Sequence, residues 1–388
     1  MPNQPKGAIA GLGVTPMGKI YGRRSVDFAA EAIALALDDA GLSKNDVDGL
    51  LINANLSGDM DVRSQMVLGF EDLTLVNVMS AYGSTAGSMM QYACMAINQG
   101  LATVVVLVYA DAPLSATRGA GQSYAGPHRF PLVGMAGLRA AYGNFGANPE
   151  YAMAARRHMH LYGTTSEQFG TIAVGQREWA RLSPWAQMKK PMNLADHQAS
   201  RFICEPLRLL DCCLVSNGAV AVIVTSAERA RDLKQPPVNV LGYAQCAPGD
   251  NLSTDRHPAV ETGAKRSGEI AFRMAGITRD DIGTCQLYDC YTYTVLVTLE
   301  DYGFCAKGEG GPFVADGKLG PGGALPTNTG GGQLSGYYMW GFTPLSEAVV
   351  QARGQGGERQ VPRNDYVLVS ANGGILNYHS TIILSRHT

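Results

Sequence analysis

At 388 residues the chain is long enough for two ordinary domains or one large duplicated one. Apolar residues make up 46% and charged residues 16%, with a formal net charge of −2. That balance excludes a disordered chain and gives no electrostatic reason to expect nucleic acid or an anionic membrane surface as partner. The longest strongly apolar run, Val104 to Tyr109, is strand-sized and far short of a membrane span. The opening Met-Pro-Asn-Gln-Pro-Lys lacks the charged head and apolar stretch of a signal peptide, so a cytoplasmic protein is expected. Eight cysteines show no paired metal-type spacing, and Cys212-Cys213 are adjacent, so reduced, mostly buried thiols are expected. Among seven histidines only His158 and His160 lie close, and an i,i+2 spacing on a helix does not aim two ligands at one ion. No metal site is expected.

In chain order, Gly7 to Gly13 reads as a first strand and Ser25 to Ala40 as an amphipathic helix, ended by Gly41. Ser43-Lys-Asn-Asp46 is a turn or short cap before a strand over Val47 to Ile52. Leu73 to Met79 is a further strand. It leads into Ser80-Ala-Tyr-Gly-Ser-Thr-Ala-Gly87 and a helix that runs to Asn98 and stops at Gly100. Thr103 to Ala110 is apolar and β-branched throughout, as a strand buried on both faces should be. From about Ala112 to Leu210 glycine, proline and aromatic residues break the pattern, with helix-like pieces near 150–162 and 165–181. This is an insertion that covers something. Asn217 to Thr225 then restores a buried strand.

The second half repeats the first. Ala40-Gly-Leu-Ser-Lys-Asn-Asp-Val-Asp-Gly49 resembles Ala275-Gly-Ile-Thr-Arg-Asp-Asp-Ile-Gly283, with Gly41 and Gly276, and Asp46 and Asp281, at the same offset of 235. Each half later shows a glycine loop, a helix ending in glycine (Gly100, Gly354) and a buried strand (Thr103–Ala110, Tyr366–Ala371). Two βαβ-type halves that cannot each cover their own sheet should pack with helices sandwiched between sheets. The expected architecture is α/β, with an N-terminal half over 1–111 plus 213–235, an inserted loop domain over 112–212, and a C-terminal half over 236–388.

The richest local signal is Asn328-Thr-Gly-Gly-Gly-Gln-Leu-Ser-Gly-Tyr-Tyr-Met-Trp-Gly341, five glycines in fourteen residues ahead of a helix over Phe342 to Ala352. Such a loop lets backbone N–H groups approach a ligand and is a natural site for an anion or developing oxyanion. The stretch resembles the late motif of thiolases, Asn-x-x-Gly-Gly-x-x-x-x-Gly-His-Pro. Asn328, Gly331 and Gly332 match it, and Tyr338 falls where the family has histidine. Glu205-Pro-Leu-Arg-Leu-Leu-Asp-Cys-Cys213, Tyr302-Gly-Phe-Cys-Ala-Lys-Gly-Glu-Gly310 and Leu325-Pro-Thr-Asn328 are similar to the sterol-carrier-protein-like branch. The resemblance covers essentially the whole chain and implies the thiolase fold, a five-layer αβαβα sandwich of two halves.

The departures from that family carry the functional expectation. Where degradative thiolases place their nucleophilic cysteine this chain has Ser80, followed by Gly83 in the first glycine loop. The motif read as Asn-Glu-Ala-Phe or His-Asp-Cys-Phe in the family is Tyr288-Asp289-Cys290-Tyr291 here, and the late Cys-Gly pair falls near Ala371-Asn372-Gly373-Gly374. The same pattern of a lost cysteine with tyrosines at both base positions resembles the steroid side-chain aldolases of this superfamily. That resemblance implies retro-aldol cleavage of a β-hydroxyacyl-CoA with a bulky acyl group, no cofactor beyond the coenzyme A of the substrate, a homodimer, and an OB-fold/zinc-ribbon (DUF35-type) partner. Thiolysis needs a thiolate to hold the acyl group; retro-aldol cleavage needs only proton transfer and a stabilised enolate. Tyr288 and Tyr338 are the expected proton carriers, provided one is shifted well below the usual value of about 10, with Asp289 beside them. Asn328, Gly331, Gly332, Ser80 and Gly83 are the expected substrate or oxyanion residues.

Structural roles stay open for each. Tyr288 could be a core tyrosine at a strand end, Tyr338 an aromatic wall beside Tyr337 and Trp340, Asp289 a loop anchor, Asn328 turn chemistry and Cys290 packing. For the chain as a whole the alternatives are an acyl-CoA-binding scaffold without turnover and an acyltransferase with an atypical nucleophile such as Ser80.

Overall fold

The computed structural model describes residues 5–123, 133–144, 146–249 and 259–387. The first half begins with strand β1 (Ala8–Val14) and helix α1 (Ser25–Ala40). β2 (Gly49–Asn53), the short α2 (Ser64–Val67), β3 (Leu75–Met79), α3 (Thr85–Asn98) and β4 (Val104–Asp111) follow. The insertion holds α4 (Gly134–Ala141), α5 (Ala147–Tyr162), α6 (Ser166–Leu182), α7 (Leu194–Ala199) and a small ribbon of β5 (Phe202–Cys204) and β6 (Leu207–Arg208). β7 (Gly218–Thr225) and α8 (Ala227–Ala230) return to the first half. The second half runs β8 (Val238–Cys246), α9 (Ala264–Ala275), β9 (Thr284–Leu287), α10 (Thr292–Asp301), α11 (Gly310–Ala315), α12 (Phe342–Arg353), β10 (Tyr366–Gly373) and β11 (Tyr378–Ser385).

The main sheet has the strand order β3-β2-β4-β7-β1-β8-β11-β10-β9. It divides at the short pairing of β1 with β8, which consists of Ala8 opposite Asn239 and Ile9 opposite Val238. In the first half β3, β2 and β4 are parallel and β7 is antiparallel to both β4 and β1. In the second, β9 and β10 are parallel while β11 is antiparallel to β10 and β8. A second-half equivalent of β3 is reduced to one parallel bridge between Cys285 and Thr327. The repeat seen in the sequence is thus a repeat of topology. It extends to detail: Gly41 and Gly276 both end their helices in the left-handed conformation, at φ 72° and 70°. Ser43 and Thr278 then both cap a short turn through Asp46 and Asp281.

Packing follows from the apolar faces. α1 lies on β1, β7 and β4, and α9 on β8 and β11, so both are outer helices. α3 and α12 each pack against strands of both halves and form the layer between them. Strands β2, β4 and β7 are buried along their whole length, as expected of strands covered on two faces. Helix α6 of the insertion packs on α10, α11 and the 332–336 turn, which places the insertion over the second half's glycine loop.

One local expectation is corrected. The glycine loop does not feed α12 directly; Gly332–Gly336 forms a π-helical turn first. Within the loop Ser335 and Gly336 donate to the Gly331 carbonyl and Tyr337 to that of Gly332, while the Gln333, Ser335 and Gly336 carbonyls accept the N–H groups of Leu214, Met188 and Gln187. Asp289 takes the N–H groups at its start.

Candidate active site

β9 delivers the first tyrosine. The strand is fully buried, and just beyond its end the Tyr288 N–H donates to the Ser370 carbonyl of β10 at 2.8 Å. The Leu287 N–H donates to Asn328 Oδ1 at 2.6 Å, so the strand end and the loop are tied together. Asn328 adopts φ 55°, a conformation asparagine tolerates better than most residues. Its Nδ2 is buried without a partner. A small cavity lies against it, bounded by Asp289, Gly332, Tyr337 and Glu347.

Asp289 is fully buried and accepts the Gln333 N–H at 2.9 Å through both oxygens and the Leu334 N–H at 3.2 Å. This is why position 332 must be glycine. A Cβ there would come within 2.2 Å of Asp289 Oδ2, and the residue has φ 56°. Burial pushes the Asp289 carboxyl up to about 7, against the pull of those N–H groups. Gly331, at φ 92°, packs against Ala180 of α6. Asp289, Gly331, Gly332 and Asn328 therefore build the scaffold behind the tyrosines.

The turn brings Tyr338 back to Tyr288. The Tyr338 N–H is held by Ser216 Oγ at 2.9 Å, and the two phenol oxygens lie 3.2 Å apart. The expectation of one tyrosine shifted well below 10 is not met. Burial, then the neighbouring phenol and thiols, holds Tyr288 well above its ordinary value, and burial with Cys213 and Cys290 does the same to Tyr338. Both hydroxyls are therefore protonated at neutral pH. The thiols are held protonated too: burial pushes Cys290 up to about 12 and Cys213 well above its usual value.

From the first half the site receives backbone and space rather than acid or base. Gly83 lies directly against Tyr288: a Cβ would meet the ring at 2.3 Å and the Asn372 carbonyl at 2.3 Å. Ser80 is exposed at the end of β3 and is not brought into this contact. Trp340, next to the pair in the chain, stacks on Tyr109 of β4 with ring centroids 5.0 Å apart.

The sequence leads one to expect the insertion over 112–212 to cover the CoA and acyl pocket, but it does not name the residues that the insertion brings to the tyrosines. Tyr151 of α5 donates to Asn372 Oδ1 at 3.0 Å and lies 4.6 Å, ring to ring, from Tyr291. The Tyr291 hydroxyl donates to Asn148 in the first turn of the same helix at 2.5 Å. Deeper along α5, buried His158 bonds Glu300 of α10 at 3.0 Å, which fixes the helix to the second half. No motif marked Tyr151. Asn372 had a signal, since it falls in the stretch set against the thiolase Cys-Gly pair.

The insertion also concentrates positive charge. Over 112–212 there are eleven Lys and Arg against six Asp and Glu, while the rest of the chain holds twenty against twenty-seven.

Comparison with known proteins agrees with this architecture. A family model described as "Thiolase C-terminal domain-like" matches residues 244–386. The chain is 38% identical to the 17-hydroxy-3-oxo-4-pregnene-20-carboxyl-CoA lyase of Mycobacterium tuberculosis, over 95% of this chain and 96% of that one. It is 41% identical to the steroid side-chain-cleaving aldolase of Thermomonospora curvata, over 95% of each. A solved Ltp2-ChsH2(DUF35) aldolase superposes with a TM-score of 0.87 at 37% identity, covering 99% of this chain and 98% of that one. The chain belongs to the thiolase superfamily, in the group that holds the steroid side-chain-cleaving CoA aldolases.

Proposed function

We propose that this chain is a carbon–carbon lyase that cleaves a β-hydroxyacyl-CoA with a bulky, steroid-sized acyl group. The products are a ketone or aldehyde and a shorter acyl-CoA. The observation that carries this is the Tyr288–Tyr338 pair, two phenols 3.2 Å apart beside the thiols of Cys213 and Cys290, which burial holds protonated. Thiols held protonated do not favour the covalent acyl intermediate of a thiolase. Full-length similarity to two proteins named for this chemistry supports the same reaction.

Held neutral, the pair supports a proton relay rather than a free tyrosinate base. The β-hydroxyl gives its proton to one phenol oxygen, and that phenol's proton passes along the 3.2 Å bond to its neighbour. The neighbour's proton goes to the α-carbon of the enolate left once the Cα–Cβ bond has broken. The electron pair of the O–H bond becomes the new carbonyl, and the pair from the broken bond takes up the delivered proton. No step needs a metal, and among the described residues no three His, Cys, Asp or Glu side chains are grouped to hold one. The excess positive charge of the insertion suits the phosphates of coenzyme A.

β3 lies at the edge of the sheet, and the stretch before it exposes Leu56, Val62, Met66 and Val67. An edge strand with an apolar approach needs a cover, and a second copy across a two-fold axis supplies it. The relative solved as an Ltp2-ChsH2(DUF35) aldolase supports a DUF35-type protein as a further partner. Two measurements test these points. Incubation with a β-hydroxyacyl-CoA, read by mass spectrometry, should give the shorter acyl-CoA and a carbonyl product with no acyl adduct on the protein. An adduct, or a substrate bound and returned intact, would overturn the lyase. Sedimentation should show a dimer; a stable monomer at micromolar concentration would overturn the homodimer.

A further inference from the structure

Asn372, near the end of β10, is 1% exposed. Its amide oxygen accepts the Tyr151 hydroxyl at 3.0 Å, yet its Nδ2 is buried with no hydrogen-bond partner. A buried donor left unpaired is destabilising, so the fold keeps this group against its own stability. Its position is specific. The Asn372 carbonyl and the Tyr288 ring crowd the same residue, Gly83, each at 2.3 Å from where a Cβ would stand. Tyr151, which holds the other end of the amide, is in contact with the Cys290 thiol. Tyr151 has a single proton to give, and giving it to Oδ1 fixes which way the amide faces. The donor that remains is Nδ2–H, shielded from water, on an amide held by Tyr151, which lies within electrostatic reach of both Tyr288 and Tyr338.

We propose that Asn372 is a further catalytic residue whose Nδ2–H donates to the thioester oxygen as the enolate forms, with Tyr151 as the residue that positions the amide. This rests on the retro-aldol chemistry above and assigns the group that stabilises its intermediate. When the Cα–Cβ bond breaks, its electron pair moves to the α-carbon and is shared with the thioester oxygen. Protonation at the α-carbon then returns that pair and completes the acyl-CoA. The oxygen carries its full charge only between those events. A dry, prepositioned N–H therefore favours the enolate over the bound thioester, the condition for raising kcat rather than merely tightening binding.

The test separates this role from the lyase activity itself. The α-proton of a short acyl-CoA can leave along the same two phenols to a solvent molecule standing where the β-hydroxyl would, and a deuteron returns by the same path, so propionyl-CoA in D2O reports on enolate formation by NMR without any carbon–carbon cleavage. The full-length chain is used, with its DUF35-type partner present if turnover requires it. Asn372→Asp keeps an acceptor for Tyr151 but removes the N–H; Asn372→Leu keeps the volume and removes both. Each should slow α-exchange and cleavage together by about 100- to 1,000-fold, the usual loss for one oxyanion donor, with a much smaller change in KM. Tyr151→Phe should give a smaller fall in kcat, because the amide is present but no longer held. If Asn372→Leu fails to fold, the Asp variant carries the test, with its melting curve as control. A folded Asn372→Asp protein that exchanges and cleaves within about threefold of wild type, far from the loss of an oxyanion donor, overturns the proposal and leaves the lyase standing. Wild-type exchange without cleavage of any β-hydroxyacyl-CoA, lost in the Asn372 variants, supports the donor and overturns the lyase.

Discussion

The two halves of this molecule share a topology and differ in chemistry. Each ends a parallel strand at the rim of the sheet, β3 or β9, in a tight loop and packs a helix, α3 or α12, into the layer between the sheets. The first half brings Gly83 and an exposed Ser80 to that loop; the second brings Tyr288, Asp289, Asn328, Tyr338 and Asn372. The duplication fixes where backbone can sit, and one copy then carries the tyrosine pair while the other makes room for it. Gly83 shows this directly, because its missing side chain is the space that the Tyr288 ring fills.

The strongest way to break the asymmetry is to remove the hydroxyls. Tyr288→Phe and Tyr338→Phe should each fold, bind acyl-CoA and lose turnover by about 100- to 10,000-fold, the range for a lost proton carrier. The double variant should be little worse than the poorer single one, since a relay is broken by either loss. Retention of more than about a third of wild-type turnover, well short of that loss, would reduce that tyrosine to a wall. Next in size is Gly83→Ala. The added methyl meets the ring and the Asn372 carbonyl at 2.3 Å, so it must move the phenol. A displacement of that kind costs on the order of 100-fold in rate. A crystal structure of the variant should show the Tyr288 hydroxyl moved away from Tyr338.

Asp289→Asn tests the scaffold instead of the chemistry. The amide cannot accept all of the N–H bonds that the carboxyl takes, so stability should fall by about 1–3 kcal/mol. The loss should depend on pH in a definite direction. A carboxyl raised to about 7 by burial binds its proton more tightly folded than unfolded. Its contribution to stability is therefore fully present below about pH 4, its unfolded range, and is lost as pH rises to about 7. The variant lacks that titration. Denaturant unfolding should thus show a larger difference between the two proteins at pH 5 than at pH 8. Smallest of all, Ser80→Ala should leave turnover unchanged, and Cys290→Ala should cost packing, about 1 kcal/mol, without abolishing activity. Complete loss in a folded Cys290→Ala protein would restore a thiol mechanism.

The halves, the insertion and the tyrosine positions were legible because each leaves a local mark: repeated helix-stop glycines, a broken periodicity, a motif with one residue changed. What was not legible depends on long-range packing. Tyr151 and Asn372 are 221 residues apart and meet only once α5 closes over the second half. The raised pKa values of both tyrosines come from burial among thiols on Cys213 and Cys290, which no spacing rule brings together. Asp289 looked equally suited to catalysis or to holding a loop. The two N–H groups it accepts, from Gln333 and Leu334, are what the loop-anchor role requires.

The strand order also sets a timetable for biosynthesis. β7 lies between β4 and β1, with Thr225 opposite both Ala8 and Val104. The ribosome must therefore make the whole insertion before the N-terminal sheet can close. At roughly 5–20 residues per second that wait is on the order of 5–20 s, with β1 and one edge of β4 unpaired meanwhile. Any nascent chain stopped before residue 218 presents β1 and β4 as open edges, and protection by chaperones matters most in that interval.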